Sequence, residues 1–161
     1  MRILLLTRGL PGSGKSTWIR ENGLEPYTIS TDRLRLLFAA PIITPEGKMD
    51  ISQKVNTIVF KCLDEMLETR FRRGDFTVVD ACHVKTSDLT RYRDAAKELR
   101  YRVIMVDFSD VPKEECIRRN MQREDMFRLE ERHIERMYAS LEKCEVPSWI
   151  QVFSHNDQII L

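Results

Sequence analysis

Gly9-Leu10-Pro11-Gly12-Ser13-Gly14-Lys15-Ser16 fits the pattern G-x-x-x-x-G-K-[ST], and Thr17 follows it. The chemistry this pattern serves is the grip on a polyphosphate. Glycines let the backbone take conformations that a Cβ forbids, so successive N–H groups can turn inward around an anion. A helix opening at Lys15 adds the positive end of its dipole. Lys15 can reach the β- and γ-phosphates. The Ser16 hydroxyl can ligate Mg²⁺, which takes oxygen ligands and keeps several waters. Gly9, Pro11, Gly12, Ser13, Gly14, Lys15, Ser16 and Thr17 are therefore the candidate nucleotide-binding set. The pattern is specific for a nucleoside triphosphate but silent about what receives the phosphate. No Asn-Lys-x-Asp segment marks a guanine reader, so ATP is the expected donor.

Acceptor residues are sought just after the apolar runs that read as strands, because ligands of a parallel sheet gather at the carboxyl ends of its strands. Ser30-Thr-Asp32-Arg-Leu-Arg35 follows one such run. Asp32 and Arg35 are three apart at a helix start and share a face. The carboxylate can take the proton of an attacking hydroxyl, and the guanidinium can hold an acceptor phosphate with its fork. A helix cap and a solvated charge are the plain alternatives. Asp80 ends Thr77-Val-Val-Asp80, where proteins with this loop place an acid for the metal hydrate or a catalytic water. His83 follows nearby as an acceptor contact, although a lone histidine is more often structural. Asp107 also ends a strand and, with no partner motif, reads as structural. Arg119 and Arg123 are four apart, with Arg118 beside them. Two cations on one helical face can close over a triphosphate, yet residues 113–136 hold seven basic and seven acidic residues, as a salt-bridged surface would. Residues 70–102 hold nine basic and five acidic residues, a local excess that can guide a nucleic acid, with Tyr92 and Trp149 as stacking candidates.

These groups need a scaffold, and the chain supplies alternating strands and helices. Arg2–Arg8, Tyr27–Ser30, Phe76–Asp80, Arg102–Asp107 and Ile150–Phe153 read as strands. Helices are expected over 15–22, 31–38, 51–72, 86–100, 112–122 and 129–143, with residues 39–50 as a loop. Gly23 and Gly74 stop two of the helices, and Thr86-Ser-Asp88 can cap another. The expected fold class is α/β, a central parallel sheet with helices on both faces. It is read as a single domain over 1–161, with a lid over about 113–136.

Composition narrows the function. The 161 residues are 42% hydrophobic and 32% charged, with 26 basic and 25 acidic residues. A net charge of +1 excludes a polycation that holds nucleic acid by bulk charge. The longest aliphatic run, Ile3–Leu6, is far too short to span a bilayer or to form a signal-peptide core. Four cysteines without a C-x-x-C pair read as reduced thiols of a cytoplasmic protein.

Four segments together resemble the polynucleotide 5′-hydroxyl kinases, in particular the kinase domain of phage and bacterial polynucleotide kinase-phosphatases. They are residues 9–18, Ser30–Arg35, Val78–Ala81 and Arg118–Arg123, in the family's order and with similar spacing. The resemblance implies a P-loop NTPase fold with an adenylate-kinase-like helical lid. It also implies transfer of the ATP γ-phosphate to the 5′-hydroxyl end of DNA or RNA in end healing and repair. Lys15 and Ser16 would hold ATP and Mg²⁺. Asp32 would be the general base, and Arg35 would hold the acceptor's 3′-phosphate. Arg123, with Arg119, would stabilise the transferring phosphate, and Asp80 would be the acid of the metal and acceptor region. Nucleic acid ends are the implied substrate, with phosphatase or ligase proteins as partners and an intracellular, cytoplasmic or phage-encoded setting. Two departures stand out: the family often has asparagine where His83 stands, and the paired-aspartate phosphatase signature is absent. Two rival readings share the length and the loop: a small-molecule kinase of the gluconate, adenylylsulfate or antibiotic type, and a non-enzymatic ATP-binding switch module.

Overall fold

A computed structural model describes residues 2–159, leaving out the side chain of residue 125. Its centre is the strand β1 (Ile3–Arg8), every residue of which is buried. Such a run has no polar face to offer water, so it needs cover on both sides. Parallel strands β2 (Thr28–Ser30), β5 (Thr77–Asp80), β6 (Arg102–Asp107) and β7 (Gln151–Ser154) flank it in the order β2-β5-β1-β6-β7. The pairings Leu5 with Val78 and Leu5 with Ile104 set the register around β1.

Alternation along β1 divides its side chains between two apolar layers. Leu4 and Leu6 join Ile29, Val79, Val103 and Met105 under α3 (Asn56–Arg73), through Val59, Leu63, Leu67 and Phe71. Ile3 and Leu5 join Val78, Ile104, Val106 and Phe108 on the opposite face, under Ile19 of α1 (Lys15–Glu21). Each fully buried leucine contributes roughly 1.5–3 kcal/mol by leaving water. A third cluster of Leu10, Cys116, Ile134 and Leu141 fastens α6 (Lys113–Met121) and α7 (Glu131–Lys143) beside the glycine loop. Nine-tenths buried, Arg8 pairs with Asp107 at 2.9 Å and donates to the Leu141 carbonyl at 3.2 Å. Asp107 is thus structural, as expected.

Several boundaries depart from expectation. Residues 39–50 are not all loop: β3 (Ile42–Ile43) and β4 (Met49–Asp50) form a two-stranded antiparallel hairpin. The long helix starts at Asn56 rather than Ile51, after a 3₁₀ turn over Gln53–Val55. The helix expected over 86–100 is two short ones, α4 (Thr86–Thr90) and α5 (Arg93–Glu98). Between them the Tyr92 N–H bonds to Leu89 three residues back, a tightened turn that sends the Tyr92 ring into the core. Asp88 does cap α4, its carboxylate accepting from the Lys85 N–H at 3.0 Å. Asn120, nearly fully buried, accepts from the Leu129 N–H at 3.1 Å and donates to the Leu129 carbonyl at 2.8 Å. Those two bonds hold Leu129 outside the helix, so α7 begins at Glu131. All four cysteines are free thiols, and no helix among the described residues is long and apolar enough to cross a membrane.

Candidate active site

The glycine loop leaves the end of β1 and runs into α1, at the carboxyl edge of the sheet. Two of its glycines are required, both by a positive φ and Gly12 also by its surroundings. Gly12 has φ +83, and a Cβ there would overlap the Cys116 carbonyl oxygen. Gly14, the N-cap of α1, has φ +103, with Arg119 Nη1 3.8 Å from the position of its missing Cβ. The loop is therefore seated directly on α6. Lys15 is buried, and its Nζ donates to the carbonyls of Gly9 at 3.0 Å and Leu10 at 2.7 Å. Pro11 and Ser13 are buried, whereas Ser16 and Thr17 are exposed at the start of α1, where first-turn N–H groups have no helical partner.

The loop is laced to the turn after β5. The Gly9 N–H donates to the Cys82 carbonyl at 3.0 Å. The Thr7 hydroxyl lies 3.2 Å from the Ala81 carbonyl and 3.4 Å from Asp80 Oδ1. Ser16 Oγ donates to Asp80 Oδ2 at 2.8 Å. Ser16 and Asp80 thus present hydroxyl and carboxylate oxygens side by side, the donor type that Mg²⁺ prefers. Among the described residues no cluster of three or more His, Cys, Asp or Glu forms a metal cage.

Asp32 and Arg35 share the face of α2 (Thr31–Phe38) that their spacing calls for. Arg35 Nη1 donates to Asp32 Oδ1 at 2.7 Å, and Arg35 Nε donates to Asn56 Oδ1 at 2.8 Å. Asp32 is half exposed, and its Oδ2 carries no hydrogen bond among the described residues. Ser30 caps α2, its hydroxyl accepting from the Arg33 N–H at 3.5 Å. Strand register sets α2 beside the loop, because Ser30 pairs with Asp80 across β2 and β5. Burial pushes the Cys82 thiol pKa up, and the charges of Lys15, Asp32, Asp80 and Arg123 all act on it.

The two arginines expected to form a lid differ. Arg119 lies over the loop, with Nε donating to Glu115 at 2.5 Å. Hydrogen bonds from Arg118 and Arg119 hold the Glu115 carboxyl down at about 2. Arg118 forks onto the same carboxylate at the surface. Arg123 does not share a helical face with Arg119, because α6 stops at Met121. The Arg123 N–H closes a turn onto the Asn120 carbonyl at 3.2 Å, and its guanidinium stands 5.8 Å from the Phe127 ring.

Three expectations need correction. His83 is not at a surface where an acceptor could reach it. Its ring is buried, with Nδ1 2.6 Å from the Thr7 carbonyl and Nε2 2.9 Å from the Tyr92 hydroxyl. The carbonyl can only accept, so Nδ1 carries the proton and Nε2 accepts from Tyr92. Burial pushes the His83 pKa down. Tyr92 is buried and occupied in the same bond, so it is not a stacking platform, and Trp149 is partly buried with its side chain packed against the core. The basic stretch is partly neutralised: of its nine cations Arg72 pairs with Glu68, Arg73 with Asp75 and Arg91 with Asp64, while Arg70 donates to the Tyr27 carbonyl. Asn56, Gln53, Asn120 and Glu115 were not singled out from sequence. They are uncharged amides or an ordinary helix acid, with no spacing signal beyond Asn120 lying between Arg118 and Arg123.

A family model described as an AAA domain matches residues 4–144. Among curated proteins none matches the chain. Solved structures share the fold. One is a chain of the Pnkp1/Rnl/Hen1 RNA repair complex, at 22% identity and a TM-score of 0.67 over 87% of this chain and 44% of that one. Another is an unliganded sugar kinase from Janibacter sp. HTCC2649, at 21% identity and a TM-score of 0.59 over 98% and 88%. A third is Chaetomium thermophilum Kti12 in complex with ADP-AlF3, at 17% identity and a TM-score of 0.59 over 96% and 90%. The chain spans less than half the length of the repair-complex chain. At these identities the likeness is one of fold, that of a P-loop nucleotide-binding α/β protein.

Proposed function

The chain belongs to this AAA domain family of P-loop proteins, and we propose that it is an ATP-dependent kinase acting on the 5′-hydroxyl end of DNA or RNA. One observation carries the reading: a half-exposed Asp32 carboxylate, paired to Arg35 at 2.7 Å and open at its second oxygen, lies in the first turn of α2 two residues after Ser30, which pairs with Asp80, the partner of Ser16, across β2 and β5. Phosphoryl transfer needs positioning and charge neutralisation more than covalent chemistry. A base, a guanidinium fork and a phosphate-binding loop are the parts it uses.

In this mechanism the backbone of residues 9–17 wraps the triphosphate, and Lys15 leaves its loop carbonyls to contact the β- and γ-phosphates. Ser16 and Asp80 would hold Mg²⁺, which when bound neutralises charge on those phosphates. Asp32 Oδ2 accepts the proton of the acceptor hydroxyl as its oxygen bonds to the γ-phosphorus. The bond from that phosphorus to the bridging oxygen breaks, and ADP departs. Arg35 holds an acceptor phosphate. Arg119 and Arg123, from the lid over 113–136, stabilise the charge on the transferring group.

The test is transfer of label from γ-labelled ATP to 5′-hydroxyl DNA and RNA oligonucleotides, run beside gluconate, adenylylsulfate and aminoglycoside acceptors. Labelled oligonucleotide ends are the expected result. Label on a metabolite alone makes it a small-molecule kinase. ATP binding with no acceptor-dependent ADP release makes it a switch module.

A further inference from the structure

Arg35 is pinned from two sides, and the second side involves residues with no role in the reaction described above. Gln53 Nε2 donates to the Ile51 carbonyl at 3.5 Å. That leaves Gln53 Oε1 to accept from Asn56 Nδ2, at 3.3 Å. Asn56 is thereby turned so that its Oδ1 accepts from Arg35 Nε at 2.8 Å. Each amide has its donor and acceptor ends fixed by the one before it, and the relay starts on a backbone carbonyl, which can only accept. At the other end Arg35 Nη1 is tied to Asp32.

A guanidinium is planar, with five donors in a rigid fork. Held at Nε and at Nη1, it has its plane fixed, and so are the directions of its remaining N–H groups. Nη2 carries no hydrogen bond among the described residues, although the side chain is only 12% exposed. A nearly buried cation with a donor unspent and its orientation fixed is prepared for an anion. Two residues of the 3₁₀ turn and the first turn of α3 thus determine where that donor points.

We propose that Asn56, oriented by Gln53, is a specificity-determining positioning residue: it aims Arg35 at a phosphate that the acceptor carries beside its reactive hydroxyl. This rests on the kinase reading, in which Arg35 already holds the acceptor phosphate, and adds the residues that set the direction of its grip. The acceptor end then distinguishes a nucleotide or strand end from a bare nucleoside.

The test uses the full chain, ATP and two acceptors, thymidine 3′-monophosphate and thymidine. Its readout is the ratio of their kcat/KM values. The wild type should prefer the phosphorylated acceptor. Asn56→Ala should lower the ratio about tenfold, the worth of one hydrogen bond to a charged group, with KM for ATP unchanged. Gln53→Ala, at an exposed position, should lower it less and in the same direction. A ratio unchanged in both variants, or a KM for ATP that rises in step with the acceptor's, overturns the inference. So does a wild type that treats the two acceptors equally while phosphorylating both. A wild type that phosphorylates neither those acceptors nor an oligonucleotide overturns the kinase reading, and the inference with it.

Discussion

Asp32→Asn separates catalysis from stability at one atom. The asparagine keeps the size of the side chain, and its Oδ1 can still accept from Arg35 Nη1, now 2.7 Å from the carboxylate. What disappears is the ability of the second oxygen to hold a proton. Asp32 is half exposed, so its pair with Arg35 is worth about 1 kcal/mol or less. Its charge in the first turn of α2 adds about 0.3–1 kcal/mol. The fold should therefore lose about 1–2 kcal/mol at most, a fall in Tm of a few degrees for a chain of this length. Loss of a general base costs about 10²–10⁴ in kcat, equivalent to about 3–5.5 kcal/mol of transition-state stabilisation. The assay is label transfer to a 5′-hydroxyl oligonucleotide at saturating ATP, with Tm and KM for ATP measured in parallel. The expected result is a kcat lowered by two orders or more, KM for ATP within about twofold, and a small Tm change. Turnover within tenfold of wild type refutes the assignment of the base. A collapse of KM for ATP refutes the separation of donor and acceptor halves.

Gly12→Ala forces φ +83 on a residue with a Cβ and drives that carbon into the Cys116 carbonyl. It should cost about 2 kcal/mol or more and abolish the rise in Tm that ATP produces; an unchanged ATP shift contradicts the packing of the loop on α6. Asp107→Ala leaves Arg8 buried without its counter-ion and should cost about 3–5 kcal/mol in urea denaturation. Arg8→Met combined with Asp107→Leu should recover much of that loss, and no recovery would show that packing rather than charge is at stake. His83 is held neutral by burial, its folded pKa below its ordinary value of about 6.5. As pH falls through that value the unfolded chain takes the proton first, so wild-type stability should drop between about pH 7 and pH 5.5. His83→Asn, suited to a residue at φ +46, should lose less stability over the same interval. An equal acid loss in both proteins contradicts the neutral buried imidazole.

The phosphate loop was legible because motif and context coincide: a buried apolar strand, six loop residues, then a helix. Strands β1, β5 and β6 were legible for the same reason, since a strand buried on both faces reads as an apolar run with polar residues only toward its ends. The hairpin over 42–50 was not, because its strands are two residues long and expose Ile42, Ile43 and Met49, so no alternation exists to read. The break between α4 and α5 depends on Tyr92 turning inward to meet His83, a contact across nine residues that periodicity does not encode. His83 itself looked chemical because it follows Asp80. Only the third dimension shows its ring closing on Thr7, in the strand beside it. The basic stretch looked like a track in one dimension, whereas in space Glu68, Asp75 and Asp64 occupy three of its seven arginines. Asn56 and Gln53 matter only through the direction in which their amides point, and no residue type or spacing announces that.

The most direct test of the account is a crystal structure with a non-hydrolysable ATP analogue and a 5′-hydroxyl oligonucleotide. An Asp32 carboxylate oxygen is expected about 2.6–3.2 Å from the acceptor hydroxyl, with that hydroxyl in line with the γ-phosphorus and opposite its bond to the β-phosphate. An Asp32 side chain turned away from the hydroxyl, with the acceptor end bound elsewhere on the molecule, would contradict it.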